Sequence, residues 1–208
     1  SLNVAKIVTI TGAVANGEGY KKTNELGYHD DGKAMYAMIT VNPVQGLYAA
    51  GYYRTESTHD EYETADDNFR QYYGATLIYV YQGIRLGASY VMGSVSSAAN
   101  VSGADPAVAK YTLLDVFVMA NLKSLTGVPV LLAGRYAMGT TKYDEGYGAD
   151  DGAEATATLW AIGAGYQFND SVRFMAYLED QSSSSDDIAA ADWEGSNRNF
   201  YVKAEVKF

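Results

Sequence analysis

The chain has 208 residues, a formal net charge of −10 and no cysteine, with 19 tyrosines, 21 glycines and 3 prolines. Without thiols there is no disulfide or thiolate site, and the acidic balance argues against a nucleic-acid partner, which needs a basic surface. The length suits one domain, 1–208, no run of about 18 apolar residues marks a transmembrane helix, and Ser1 opens no signal peptide, which suits a mature or a cytosolic chain.

Ten segments read as strands: 4–15, 33–42, 47–55, 69–81, 84–95, 109–122, 128–140, 156–168, 172–181 and 198–208. Most are about ten residues or longer, where an ordinary globular strand has about five or six. A tilted strand of about nine to eleven residues crosses a bilayer. The last segment shows the pattern most plainly: Val202, Ala204, Val206 and Phe208 alternate with Tyr201, Lys203, Glu205 and Lys207. Strict alternation gives a strand one apolar and one polar face. The connections alternate as well. Short turns fall at 42–46, Gln82-Gly83, 123–127 and 169–171, built mostly on Gly, Asn and Asp. Long loops fall at 16–32, 56–68, 96–108, 141–155 and 182–197 and hold most of the acids. Short turns at one end and long loops at the other are the layout of an all-β, antiparallel, up-and-down transmembrane barrel. About ten strands are expected, with twelve, or part of a sixteen-stranded barrel, as alternatives.

Pairing across the turns assigns the faces. Tyr81 opposite Ile84, Phe168 opposite Val172, Leu122 opposite Val128 and Val41 opposite Leu47 put Leu77, Tyr79, Leu86, Val116, Val118, Leu132, Trp160, Ile162 and Phe174 outward. No mid-strand charge then falls on the lipid side, where Lys or Arg at mid-bilayer costs about 2–4 kcal/mol. Tyr79, Tyr81, Tyr166 and Phe168 form a low aromatic girdle, and Tyr53, Phe69, Tyr90 and Tyr136 a high one. The inward charges include Arg54, Arg85, Asp115, Arg135, Arg173, Glu179, Lys203 and Glu205, the expected pore-lining set. Arg54, Arg135 and Lys203 are placed nearest mid-height, and Asp115 faces Arg135 as a structural pair. The competing reading of the same charges is a salt-bridge network that fills a narrow lumen.

Three stretches resemble those of porins. Val8-Thr9-Ile10-Thr11-Gly12 is similar to the opening strand of general bacterial porins. Gly163-Ala164-Gly165-Tyr166-Gln167-Phe168-Asn169-Asp170 is similar to the penultimate hairpin, and Asn199–Phe208 to the closing strand with its terminal Phe. The chain thus resembles the porin-like Gram-negative outer-membrane β-barrel proteins. That resemblance implies an outer-membrane location, passive diffusion of ions and small hydrophilic solutes, and contact with lipid and lipopolysaccharide. It also implies recognition of the strand ending at Phe208 by the barrel-assembly machinery. Two features depart from it: about ten strands stand in place of sixteen, and the constriction-loop motif Pro-Glu-Phe-Gly is missing. Monomer and homo-oligomer both stay open.

Other chemistries are weaker. No cofactor is expected, although the acidic loops, richest at Asp144, Glu145, Asp150 and Asp151, are candidates for Ca2+ or Mg2+. Their spacing matches no EF-hand, so a solvated loop is the plainer reading. His29-Asp30-Asp31 and His59-Asp60-Glu61 place a potential general base beside carboxylates. Omptin outer-membrane proteases are ten-stranded and use Asp pairs with a His–Asp couple, but neither stretch matches that group's motifs. The expectation is therefore a channel and not an enzyme. The alternatives are a non-conducting structural or adhesin barrel and an omptin-like protease.

Overall fold

The computed structural model describes residues 2–4, 7–16, 33–57, 69–97, 107–143, 152–169, 171–186 and 195–206. They form eleven strands: β1 (Leu2–Val4), β2 (Val8–Asn16), β3 (Lys33–Val41), β4 (Leu47–Ser57), β5 (Phe69–Tyr81), β6 (Ile84–Ser97), β7 (Ala107–Asn121), β8 (Val130–Tyr143), β9 (Glu154–Gln167), β10 (Val172–Asp186) and β11 (Gly195–Val206). All lie in one sheet in strict chain order, β1 to β11. Each pair is antiparallel. This is the expected all-β, up-and-down meander. Among the described residues no ladder joins β11 to β1 or β2.

The eleventh strand arises where the expected strand 4–15 is split. Leu2–Val4 folds back on Val8–Ile10, pairing Leu2 with Ile10 and Val4 with Val8. Most other strands run further than expected toward the long loops: β4 reaches Ser57, β6 Ser97, β8 Tyr143 and β10 Asp186. Serines and threonines blur the alternation there, yet each neighbouring strand still offers a full row of backbone partners.

The turns follow their local chemistry. Gln82 and Gly83 both have positive φ, 43° and 85°, the two-residue turn whose twist suits a hairpin. Tyr81 faces Ile84, as expected. Asn169 Oδ1 accepts hydrogen bonds from the Ser171 and Val172 N–H groups, each at 2.8 Å, and the expected register follows. Two registers differ by two residues from expectation. Val41 faces Ala49, not Leu47, because the Leu47 N–H turns back to the Val44 carbonyl at 3.1 Å. Leu47 and Tyr48 then pair only with β5. Between β7 and β8 the chain coils into one helical turn, α1 (Lys123–Thr126), ended by Gly127 at φ 79°. Asn121 therefore faces Leu131. A slip of one residue would exchange the faces, whereas a slip of two preserves them.

The faces accordingly match the pattern. Leu77, Leu86, Val116, Leu132, Ile162 and Phe174 are exposed on one side. Water-facing exposure of that many large apolar side chains marks a surface meant for a non-aqueous neighbour. Rings gather at its short-turn edge: Tyr79 stacks with Tyr81 at 6.3 Å, and Phe168 packs edge-on against Tyr166 at 4.8 Å and Phe174 at 5.5 Å. On the other side Ala50, Leu131, Ala137 and Met175 are buried. No helix of the described chain is long and apolar enough to cross a membrane.

Candidate functional site

The inner face is organised in rows that run across the ladders. One row near the long-loop end reads Tyr36, Arg54, Tyr72, Gly93, Tyr111, Thr141 and Ala155 on β3 to β9. A row at mid-height reads Phe117, Arg135, Ala161, Glu179 and Asn199 on β7 to β11. Neighbouring members of a row are about 5 Å apart, so their side chains meet.

All eight expected pore-lining residues lie on this face, and most are paired. Arg54 Nη2 donates to Glu56 Oε2 at 2.8 Å, two residues along the same strand. Arg135 grips Asp115 with both arms, Nε to Oδ1 and Nη2 to Oδ2, each at 2.9 Å. These two are not directly opposite, as expected, but diagonal: Asp115 faces Ala137 and Arg135 faces Phe117. The cause is the helical turn α1, and the guanidinium is long enough to span the offset. Arg173 Nε donates to Glu205 Oε2 at 2.9 Å, and its Nη2 reaches the same oxygen. Arg85 lies 5.8 Å from the Phe117 ring centroid. Glu179 accepts from Gln181 Nε2 at 2.6 Å and from Tyr201 Oη at 3.3 Å. Lys203 is exposed and has no ion pair among the described residues. Of the three residues expected nearest mid-height, only Arg135 is there. Arg54 sits in the upper row, and Lys203 faces Met175 near the short turns, because β11 begins at Gly195, ahead of the expected start at 198.

Two members of the site escaped the sequence reading. Glu56 fell beyond the expected end of β4 and was not counted inward, yet its side chain is only 8% exposed beneath Arg54. The second is a system of rings laid over glycines. A β-carbon on Gly74 would meet Tyr52 Oη and Cζ at 2.9 Å. One on Gly87 would meet the Phe117 ring, one on Gly93 the Tyr111 hydroxyl, and one on Gly163 the Tyr177 ring, Cε1 at 2.7 Å. Each ring thus lies along the wall over its neighbour strand and does not stand straight out from the inner face. A glycine directly opposite an aromatic was the readable signal, visible only once register was known.

Beside these rings the wall is lined by small residues. A hollow of about 490 Å³ lies against Leu113, Ala137, Gly139, Ala157 and Leu159. Another of about 460 Å³ runs from Tyr111 over Gly139, Thr141, Ala155 and Ala157. On the outer face Arg198 pairs with Asp180 at 2.7 Å. Because β10 runs on to Asp186 and β11 begins at Gly195, the pair lies inside both strands, one row above Glu179 and Asn199, and not at a strand end, which departs from the expectation of no mid-strand charge on that face. The candidates Asp144, Glu145, Asp150 and Asp151, the histidines His29 and His59, and Phe208 lie outside the described residues. Among the described residues no three His, Asp or Glu side chains stand together as a metal cluster.

No protein-family model and no curated protein matches the chain. A solved structure does: OmpT of Vibrio cholerae with its loop L8 deleted, described as an outer membrane protein, at a TM-score of 0.59 and 16% identity. The match covers 84% of this chain and 53% of that one, so the chain spans about half the length of the structure it resembles. At that identity the likeness concerns the fold, which is that of an outer-membrane β-barrel protein. Together with the exposed apolar belt it agrees with the expected outer-membrane location. It also corrects one expectation. A barrel wall shared with OmpT gives no ground for holding that the chain is not an enzyme, since omptin-type proteases are built on such walls too, and that expectation is withdrawn.

Proposed function

We propose that the sheet is the wall of a porin-like passage for ions and small hydrophilic solutes. The supporting observation is the openness of the inner face. Arg54, Arg135 and Arg173 keep 47%, 52% and 40% of their side-chain surface exposed, even though each is ion-paired. Among the described residues no large side chain is fully buried, as the centre of a filled barrel would require. The described inner cations are Arg54, Arg70, Arg85, Arg135, Arg173 and Lys203, against the anions Glu56, Asp115, Glu179 and Glu205. Six against four favours anions mildly.

Conductance in planar bilayers is the test. The purified protein should give discrete channels with chloride favoured over potassium, and Arg54→Gln with Lys203→Gln should reduce that preference. Silence across repeated insertions, with folding verified, would defeat the channel reading. A second reading, an omptin-like protease, draws on the same scaffold match. Peptide cleavage that disappears in His59→Ala would establish it in place of the channel.

A further inference from the structure

The upper inner row carries chemistry that plain diffusion does not need. Tyr72 and Tyr111 stand two strands apart with only Gly93 between them, and their ring centroids close to 5.4 Å at an interplanar angle of 54°. The Tyr111 hydroxyl is tied back to the Gln71 carbonyl at 3.3 Å, which holds its ring on the wall. Immediately above, Arg70 faces Glu56 across the β4–β5 ladder. The Glu56 carboxylate is already held by Arg54, and Arg70 is exposed with no ion pair among the described residues. Immediately beside Tyr111 lies the hollow of about 460 Å³ floored by Gly139, Thr141, Ala155 and Ala157. Two fixed rings, one guanidinium with no ion pair among the described residues and an adjoining space bounded by small side chains are thus together on one face.

We infer that Tyr72, Tyr111 and Arg70 form a binding site for aromatic carboxylates within the passage, an inference that rests on the channel reading. A flat ring gains from stacking or edge contact with tyrosines already in place. A carboxylate matches the planar fork of an arginine, and two parallel N–H···O bonds fix its direction. A neutral sugar would leave the Arg70 charge unused, and a simple anion would leave the rings unused. Holding the solute briefly raises its local concentration in the passage, provided that it binds weakly enough to leave again.

The test is block of the potassium chloride current by benzoate, compared with acetate, benzyl alcohol and glucose. Benzoate should reduce the current at a concentration about tenfold lower than acetate or benzyl alcohol, each of which offers half of the recognised chemistry. Arg70→Gln should raise the half-blocking concentration about tenfold. Tyr111→Leu should raise it about threefold or more, and Tyr111→Phe, which keeps the ring but loses the hydroxyl bond to Gln71, should raise it by less than Tyr111→Leu. Heat-modifiable mobility on gels checks that each variant folds, and Arg70→Lys, which keeps the charge but loses the fork, should lie between wild type and Arg70→Gln. If the wild type conducts and benzoate blocks no better than acetate, or if glucose blocks best, the inference is overturned while the channel stands. If the wild type does not conduct, both fall together.

Discussion

At the residue scale the inner face separates charges that hold the wall from surfaces that meet the solute. Arg135 and Asp115 share two hydrogen bonds at 2.9 Å, yet Arg135 is 52% exposed. Solvent screens such a pair, so its net worth is small. Asp115→Asn should cost less than about 1 kcal/mol in denaturant unfolding. It should also raise chloride preference, because it removes one of the four described inner anions. A large stability loss with unchanged selectivity would make the pair structural. The glycines act differently. Gly93 lies beneath the Tyr111 ring, and its place cannot take a β-carbon without moving that ring. Gly93→Leu should drive the ring off the wall and lower single-channel conductance, with a loss of stability as well, because the β-carbon also meets the Gln71 backbone carbonyl oxygen. Unchanged conductance would mean that the rings do not set the bore.

At the element scale the hairpins carry the register. Gly46 holds φ at 84°, and its carbonyl accepts the Val80 N–H at 2.7 Å. A β-carbon there would strike the Val80 carbonyl. Left-handed backbone costs an ordinary residue about 1–2 kcal/mol before any clash, so Gly46→Ala should lower stability by at least about 2 kcal/mol. Gly127 has a similar φ of 79° but open space around it, so Gly127→Ala makes the control, limited to the backbone cost alone. Equal losses for the two variants would show that the contact with β5 contributes nothing. The same hairpins explain why the face assignment survived two register errors. Both slips were of two residues, and side chains alternate with period two.

At the scale of the molecule the outer edge of β11 sets a strong requirement. Phe200 and Val202 are 70% and 68% exposed, and no described strand pairs with that edge. Backbone groups left unpaired in hydrocarbon cost several kcal/mol each, which is why membrane sheets close. In lipid nanodiscs the β11 amides should therefore exchange with solvent about as slowly as those of β6, which is paired on both sides. Fast exchange confined to β11 would show an edge left open to water.

Period-two alternation, read from the sequence alone, determined the architecture: long antiparallel strands, short and long connections in turn, an apolar outer face and a charged inner one. These are local properties, because burial of one strand face writes itself directly into residue order. Tertiary structure decided what depends on meetings between distant residues. The helical turn at Lys123–Thr126 moved Arg135 from opposite Asp115 to its diagonal. The extension of β4 to Ser57 brought Glu56 under Arg54. The pairing of Tyr72 and Tyr111 over Gly93 joined residues 39 positions apart into one surface, and no spacing along the chain announces such a pair. A strand's own pattern says which way its side chains point, but only the ladders say which of them meet.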